Sequence, residues 1–265
     1  MSEALDRFER AVGGWLAGRS APLVLGLCGA QGSGKSTLAE GLRARMAARG
    51  VGTAILSLDD LYLDGVARAA LAAEIHPLLR TRGVPLTHDV ARGVAVIDAV
   101  RARQPVALPR FDKARDEPAA DTAPVSGIDL LIFEGWCVGA LAQEDAALAD
   151  PINPLEREHD ADGTWRHAVN AALRAGYAAL FGRIDRLVLL AAPGFEVVAG
   201  WRLEQEEALR QRIMAEGGDA SRLMDAAGVA RFVQHYERLT RHILHEMPAR
   251  ADLTLLLDAD RRLRS

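Results

Sequence analysis

The sequence predicts an α/β fold in which a mainly parallel sheet of five strands has helices on both faces. Two observations carry this prediction. Five short apolar runs alternate along the chain with longer segments whose apolar residues recur every three or four positions. The first of these runs leads directly into residues 29–36, which fit the phosphate-binding pattern G-x-x-x-x-G-K-[ST]. Such folds bind their ligands at the carboxyl ends of the strands.

The first elements form one βαβ unit. Residues 4–18 are predicted to form an amphipathic helix because their large apolar side chains recur three and four positions apart. The apolar run 23–28 predicts the first strand, and the phosphate-binding segment then opens a helix over 36–48 that ends before Gly50. Residues 53–58 predict the second strand.

The long segment 60–126 is too long for a simple connection. It contains six prolines and a predicted helix over 89–101, and we expect it to be an insert that binds the second substrate. The whole chain, 1–265, is predicted to be a single domain, with a lid over 197–215. The other predicted elements are strands at 128–133, 187–191 and 253–257 and helices at 166–181, 197–215 and 229–246.

The segment after the first strand indicates a nucleoside triphosphate as ligand. Its glycines let the backbone turn N–H groups toward an anion, the helix that follows aims its positive end at the same point, and Lys35 adds a mobile charge. The predicted nucleotide-binding residues are Gly29, Ala30, Gln31, Gly32, Ser33, Gly34, Lys35, Ser36 and Thr37.

Lysine usage is unusual, since only two of the 32 basic side chains are lysines. One is Lys35 and the other is Lys113. A chain that otherwise uses arginine keeps lysine where a compact, flexible charge is needed. The alternative is that lysine was lost through compositional drift and that Lys113 remains by chance.

Two residues are predicted to hold a magnesium ion. The hydroxyl of Ser36 follows Lys35 directly, as in the phosphate loops that bind Mg²⁺ with their triphosphate. Glu134 ends an apolar strand expected beside this loop, so its carboxylate is a candidate ligand, directly or through water. A carboxylate at a helix start is the alternative for Glu134.

Asp59 and Asp60 follow the second strand and so lie at the carboxyl edge of the sheet. In phosphoryl transfer a carboxylate orients the acceptor hydroxyl and accepts its proton. Either residue is a candidate base, although a helix N-cap explains Asp60 equally well.

Cationic side chains at two places suit the transferred phosphate and the acceptor. On the predicted lid, Arg202 is the first candidate to neutralise transition-state charge, while Arg210 and Arg212 stay open, as does an ordinary solvated helix face. In the insert, several side chains have the chemistry to bind a small acceptor and its carboxylate. The alternative is that these side chains form surface ion pairs. These candidates are Arg82, His88, Asp89, Arg110 and Lys113.

Composition and charge exclude several classes of function. A net charge of −4, with arginines interleaved among acids, argues against a nucleic-acid surface. No apolar run approaches the roughly 18 residues of a membrane span, and the N-terminus lacks the form of a signal peptide. We therefore expect a cytoplasmic protein without membrane or nucleic-acid partners. Cys28 and Cys137 are expected to be buried thiols.

These motifs, in this order over residues 23–258, resemble the P-loop D-glycerate 3-kinase family, which is similar to uridine kinase, phosphoribulokinase and pantothenate kinase. The resemblance implies ATP as phosphate donor, Mg²⁺ as cofactor and D-glycerate as the first-choice acceptor. It also implies that Asp59 is the base and that Tyr62 lies beside the acceptor. The segments that carry it are residues 29–36, Ser57-Leu-Asp-Asp-Leu-Tyr62, Arg82-Gly-Val-Pro-Leu-Thr-His-Asp89, Pro109-Arg-Phe-Asp-Lys113, Phe133-Glu-Gly-Trp-Cys137 and the helix around Trp201.

The chain departs from the family pattern on the acceptor side. Leu86 stands where the family usually has a second glycine, and the stretch after Lys113 replaces a Gly-Asp-Arg sequence, with only Arg115 and Asp116 resembling it. The prediction is a kinase of a small organic acid, active as a monomer or homodimer. The alternatives are a kinase of a uridine- or pantothenate-like acceptor, or an NTP-hydrolysing switch.

Overall fold

The structure is a computed structural model that describes residues 2–215 and 223–264. Within these residues seven strands form two sheets. The domain prediction 1–265 also includes residues 1, 216–222 and 265, which lie outside the described residues. The strands are β1 (Leu23–Gly29), β2 (Thr53–Ser57), β3 (Arg110–Asp112), β4 (Glu117–Ala119), β5 (Leu130–Gly135), β6 (Arg186–Ala191) and β7 (Leu253–Leu256).

The central sheet has the order β2-β5-β1-β6-β7, and each neighbouring pair is parallel. The three inner strands are buried along nearly their whole length, as expected for continuous apolar runs covered on both faces. The edge strand β2 alternates between buried and half-buried residues instead. The α/β fold with five parallel strands is confirmed.

Helices cover both faces of this sheet, and β5 shows the division. Its alternate residues enter different clusters: Ile132 joins one that contains Phe8 and Leu42, while Phe133 joins another that contains Ile97 and Leu180. The helices are α1 (Ser2–Leu16), α2 (Lys35–Ala48), α3 (Gly65–Glu74), α4 (Val90–Arg101), α5 (Pro154–His159), α6 (Thr164–Ala172), α7 (Ala178–Phe181), α8 (Glu196–Ala215) and α9 (Ala226–Glu246).

The predicted helix 166–181 is interrupted. A π-helical turn at Leu173–Tyr177 separates α6 from α7, and Ala175 inside it has non-helical dihedral angles. Such single-turn insertions shift the register of the flanking turns. The apolar spacing of the segment does not reveal the interruption.

The insert after β2 contains elements that the sequence pattern did not predict. Helix α3 begins after Asp64, whose Oδ1 accepts a hydrogen bond of 2.7 Å from the backbone N–H of Ala67. The antiparallel hairpin of β3 and β4 follows α4. No helix in the described part of the chain is long and apolar enough to cross a membrane.

Candidate active site

The phosphate loop has the backbone that its glycines permit. It connects the end of β1 to Lys35 at the start of α2, and Gly32 and Gly34 have positive φ angles of 76° and 88°. A Cβ on Gly29 would lie 2.8 Å from the Oγ of the fully buried Ser33, so this first glycine is required by space. The start of α2 has no side-chain cap, and the N–H groups of an uncapped helix start favour an anion.

Two distant segments pack on the outside of this loop. Trp201 of α8 lies so close to Gly32 that a Cβ there would be 2.5 Å from the Cβ of Trp201. Arg261, after β7, donates from Nε to the carbonyl oxygen of Gly32 at 2.6 Å, and its guanidinium lies 5.0 Å from the Trp201 ring centroid. No motif in the sequence points to Arg261. The contacts hold the phosphate loop against the base of the helix predicted as a lid.

A cleft of about 510 Å³ lies in front of the phosphate loop at the carboxyl edge of the sheet. It brings together residues from the loop, the ends of β2 and β5, the insert and two helices near the C-terminus. Its wall is formed by Gln31, Gly32, Lys35, Ser36, Ser57, Asp59, Tyr62, Arg82, Lys113, Glu134, Arg202, Gln205, Ala208, Leu209, Arg212, Phe232 and Tyr236.

Ser36 and Glu134 meet at the floor of the cleft. The Oγ of Ser36 donates to Glu134 Oε1 at 3.1 Å. Glu134 is only 5% exposed, and its other carboxylate oxygen, Oε2, is buried without a hydrogen-bond partner among the described residues. A buried carboxylate oxygen without a partner beside a hydroxyl fits a hard cation such as Mg²⁺, which takes few protein ligands and completes its shell with phosphates and water. The described residues hold no cluster of three or more acidic, His or Cys side chains that could ligate a metal ion.

Asp59, and not Asp60, faces the cleft. The hydroxyl of Tyr62 donates to Asp59 Oδ1 at 2.7 Å, and Lys113 Nζ lies 2.6 Å from Oδ2. Burial alone raises the pKa of Asp59, but the charges of Lys113 and Lys35 and the hydrogen bonds from Lys113 and Tyr62 outweigh it and lower the pKa well below its ordinary value. Asp59 is therefore ionised at neutral pH.

Asp60 points in the other direction, toward the hairpin. Its Oδ1 accepts from the N–H of Phe111 at 3.1 Å, and its Oδ2 lies 3.2 Å from Arg110 Nη1. Burial raises the pKa of Asp60 more than Arg110 lowers it. The turn after β2 is capped by Ser57, whose Oγ accepts from the N–H of Asp59, so neither open interpretation of Asp60 matches the structure. It anchors the hairpin.

The structure divides the predicted acceptor residues into two groups. Arg82 and Lys113 line the cleft. Arg110 does not, since it pairs with Asp60, and Asp89 caps helix α4, with Oδ1 accepting from the N–H of Arg92 at 2.9 Å. These two therefore hold secondary structure in place where direct contact with the acceptor was expected.

His88 lies behind the cleft wall. It is 4% exposed, its ring stacks on Tyr62 at a centroid distance of 4.9 Å, and its Nδ1 lies 2.5 Å from the hydroxyl of Tyr177. Burial lowers the pKa of His88 to about 4, although the negative charge of Asp59 acts in the opposite direction. A neutral His88 supports Tyr62 from behind, and its ring does not form part of the cleft wall where direct contact with the acceptor was expected.

Two of the three candidate arginines on the predicted lid line the cleft, namely Arg202 and Arg212. Arg202 pairs with Glu206 one turn further along α8, and its guanidinium lies 5.8 Å from the ring centroid of Phe232. Arg210 is turned toward the carbonyl oxygen of Met224 at 3.4 Å and does not reach the cleft wall.

Both cysteines are buried as expected. Burial raises the pKa of Cys28 to about 12, against the opposing charges of Lys35 and Arg250, and burial also raises the pKa of Cys137 well above its ordinary value. Neither thiol lines the cleft.

The cleft has two halves with different chemistry. One half, built on the phosphate loop, suits a triphosphate and its metal ion, and the other contains Arg82 and the ion pair of Lys113 with Asp59. Phosphoryl transfer to an acceptor needs a second site beside the phosphates, next to a carboxylate that orients the acceptor hydroxyl. Together with the fold, this arrangement defines a P-loop kinase, a phosphotransferase whose acceptor is a small molecule.

Comparisons with known proteins agree with this class. The uncharacterized kinase mug58 of Schizosaccharomyces pombe is 34% identical over 229 residues, which are 81% of this chain and 78% of that protein. The chloroplastic D-glycerate 3-kinase of Arabidopsis thaliana is 27% identical over 252 residues, which are 90% of this chain but only 52% of the plant protein. No family model matches the chain.

A solved structure of D-glycerate 3-kinase from Cryptococcus neoformans has the same fold. It superposes with a TM-score of 0.84 at 24% identity, covering 99% of this chain and 98% of that chain. The chain belongs to the P-loop D-glycerate 3-kinase family.

Proposed function

We propose that this protein is an ATP-dependent kinase that phosphorylates a hydroxyl of a small organic acid, and that the acid is D-glycerate, giving 3-phosphoglycerate. The observation that carries the proposal is the position of Asp59 between the phosphate loop and the two cations Arg82 and Lys113. A hydroxy acid that meets the cations with its carboxylate presents its hydroxyl to Asp59.

On the donor side, the backbone N–H groups of residues 29–36 and the side chain of Lys35 bind the phosphates of ATP. Ser36 and Glu134 would hold Mg²⁺. When bound, the ion neutralises part of the negative charge of the transferred group. The packing of Trp201 and Arg261 on Gly32 keeps the loop in the conformation that binds phosphate.

On the acceptor side, the low pKa of Asp59 decides its role. A carboxylate of very low proton affinity orients the acceptor hydroxyl by accepting its hydrogen bond, and it takes the proton only as the new O–P bond forms. Tyr62 fixes the orientation of Asp59 through the 2.7 Å hydrogen bond. Arg202 and Arg212 lie in the cleft wall where a positive charge stabilises the transferred phosphoryl group.

An aromatic acceptor such as a nucleoside is the second candidate, because three rings, Tyr62, Phe232 and Tyr236, line the cleft. A guanidinium group already lies over two of these three rings. Arg82 lies 5.9 Å from the ring centroid of Tyr62, and Arg202 lies 5.8 Å from that of Phe232. A flat base would have to displace these cations, so the geometry favours a small anion.

The experiment measures ADP release with Mg-ATP and a panel of D-glycerate, L-glycerate, pantothenate and uridine, with a blank that contains no acceptor. Asp59→Asn and Asp60→Asn form a matched pair of neighbouring carboxylates, of which only Asp59 lines the cleft. We expect D-glycerate-dependent turnover that falls about 100-fold or more in Asp59→Asn and far less in Asp60→Asn, whose amide oxygen can still accept from the N–H of Phe111 and anchor the hairpin. Turnover with pantothenate or uridine alone rejects glycerate, and equal ADP release in the blank rejects the kinase.

A further inference from the structure

Three charged side chains connect the interior of the insert with the acceptor half of the cleft. Arg68 on α3 is only 3% exposed, and it donates to the carbonyl oxygens of Leu63 at 3.1 Å and of Arg80 at 2.9 Å. Its Nη2 also lies 2.6 Å from Asp116 Oδ2. The other oxygen of Asp116 pairs with Arg82, which lines the cleft. Asp116 thus bridges a fixed buried cation and a cation of the acceptor site.

The turn at Asp116 is fixed by Arg68. Asp116 has a positive φ of 61°, in the left-handed region that Asp and Asn adopt more readily than other residues with a side chain. Arg68 Nη2 also donates to the carbonyl oxygen of Asp116, at 3.3 Å, which holds this backbone in place. Burial raises the pKa of Asp116, but the hydrogen bond from Arg68 and the charge of Arg82 outweigh it and lower the pKa.

The same turn between β3 and β4 also carries Lys113, which contacts Asp59. One short turn therefore sets the positions of both cations of the acceptor half: Lys113 belongs to it, and Arg82 is held by its Asp116. The guanidinium of Arg82 also lies 5.6 Å from the ring centroid of Phe111, and this contact further restricts the position of Arg82. Arg82 is held from several directions before any acceptor binds, as pre-organised recognition requires.

The charges of this group give a small positive sum. The three cations Arg68, Arg82 and Lys113 face the two anions Asp59 and Asp116, which leaves one net positive charge. That charge matches an acceptor with a single negative charge. A second negative charge on the acceptor would lie near the two carboxylates, because the other cations of the cleft wall, Lys35, Arg202 and Arg212, serve the phosphates in the proposed function.

We propose that Asp116 is the positioning and specificity-determining residue of the acceptor site: anchored by Arg68, it aims Arg82 at the acceptor and restricts the site to hydroxy acids that carry one carboxylate. This inference rests on the proposed function, because it refines the acceptor of the same site. It assigns discrimination against dianions, such as dicarboxylates and sugar phosphates, to a residue that does not itself line the cleft.

The test compares Asp116→Asn with Asp121→Asn. Asparagine tolerates a positive φ, so the first change removes the charge and leaves the turn its conformation. Asp121 pairs with Arg92 in the same insert and is similarly exposed, but Arg92 does not line the cleft, so the second change is the matched control. The KM for D-glycerate, the KM for ATP, kcat and the inhibition constant of tartronate, a dianion of glycerate size, are measured for each protein.

We expect Asp116→Asn to raise the KM for D-glycerate about tenfold while the KM for ATP stays unchanged. Because the site then has one more net positive charge, inhibition by tartronate relative to glycerate binding should improve about tenfold or more. A purely structural role would weaken both anions together. Unchanged selectivity, or the same changes in Asp121→Asn, overturns the inference.

Direct binding measurements distinguish a failure of the substrate proposal from a failure of the inference about Asp116. If the unaltered protein shows no D-glycerate-dependent ADP release, the substrate proposal fails. Calorimetric titration of D-glycerate and tartronate in the presence of Mg-ADP still compares the variants. A shift in preference toward the dianion in Asp116→Asn supports the role of Asp116, and an unaltered protein that binds neither anion overturns it.

Discussion

Replacing Gly32 by alanine tests whether the phosphate loop is fixed by its packing against α8. Gly32 has a φ of 76°, and an added Cβ would lie 2.5 Å from the Cβ and 2.9 Å from the carbonyl carbon of Trp201. Gly50 offers a matched control, since it has the same φ of 76° but an added Cβ would meet nothing within 4 Å. Gly50→Ala therefore has only the conformational cost, and Gly32→Ala has that cost and a clash.

The expected magnitudes follow from these two contributions. A left-handed backbone costs an alanine about 1–2 kcal/mol, and this is the expected loss of unfolding free energy in Gly50→Ala. Overpacking against a buried side chain adds about 1–3 kcal/mol, so Gly32→Ala should lose roughly 2–5 kcal/mol. Each kcal/mol lowers the melting temperature by about 2–4 °C in a chain of this size. The clash alone therefore accounts for a difference of about 1–3 kcal/mol between the variants.

The assay combines urea unfolding of both variants with the KM for ATP. Because the amides of the displaced loop bind the phosphates, Gly32→Ala should also raise the KM for ATP about tenfold or more, while Gly50→Ala should not change it. Two results refute the reasoning. Equal losses of stability show that Trp201 yields without cost, and a Gly32→Ala variant with the normal KM for ATP shows that this packing does not shape the phosphate site.

Three further predictions concern single groups. Glu134→Gln keeps the shape of the side chain but removes its charge, so we expect half-maximal activity to need about 10–100-fold more Mg²⁺, and an unchanged Mg²⁺ titration contradicts the metal assignment. His88 has its pKa lowered from 6.5 to about 4 by burial, so between these pH values the unfolded chain binds a proton that the folded protein does not. The unfolding free energy should thus fall by up to about 3 kcal/mol as the pH drops from 6.5 to 4, and His88→Gln should lack this part of the slope in acid unfolding curves. Cys28, whose pKa is raised to about 12, should resist iodoacetamide at pH 8 until denaturant is added, and fast labelling of the native protein contradicts its burial.

The central sheet could be predicted from the sequence because the residues of each strand reflect whether its two faces are covered. A strand covered on both faces must be apolar throughout, and β1, β5 and β6 satisfy this along nearly their whole length. The hairpin of β3 and β4 has no such signal. Its strands are three residues long, β4 is exposed throughout, and the hairpin is held by side chains of other elements, Asp60 and Arg68. Its position depends on tertiary contacts that no local pattern contains.

In the candidate site, too, the parts set by local sequence could be predicted and the parts set by tertiary contacts could not. The conformation of residues 29–36 is set by their own glycines, so their spacing was sufficient to predict the loop between β1 and α2. The choice between Asp59 and Asp60 depended on which way a single helical turn points its side chains, and residue spacing does not report this. Arg261 was missed for another reason: it comes from the far end of the chain and acts through one hydrogen bond to the carbonyl oxygen of Gly32.

Leu86 shows which departure from the family pattern matters for the acceptor. It has a φ of 90°, a conformation that favours glycine, the residue usual at this position in the related sequences. The strain, about 1–3 kcal/mol, is sustained by the surroundings: the N–H of Leu86 donates to Tyr177 Oη at 3.2 Å, and Thr87 Oγ1 both accepts from Gly83 N–H and donates to the carbonyl of Val84.

On either side of this turn, Arg82 and His88 both contact the ring of Tyr62. The bulkier side chain does not reshape the pocket, because Leu86 packs against the core and does not line the cleft. The change after Lys113 is different, since it determines which charges stand around Arg82. Acceptor choice in this chain therefore depends on the charge of Asp116 more than on the shape of the turn at Leu86.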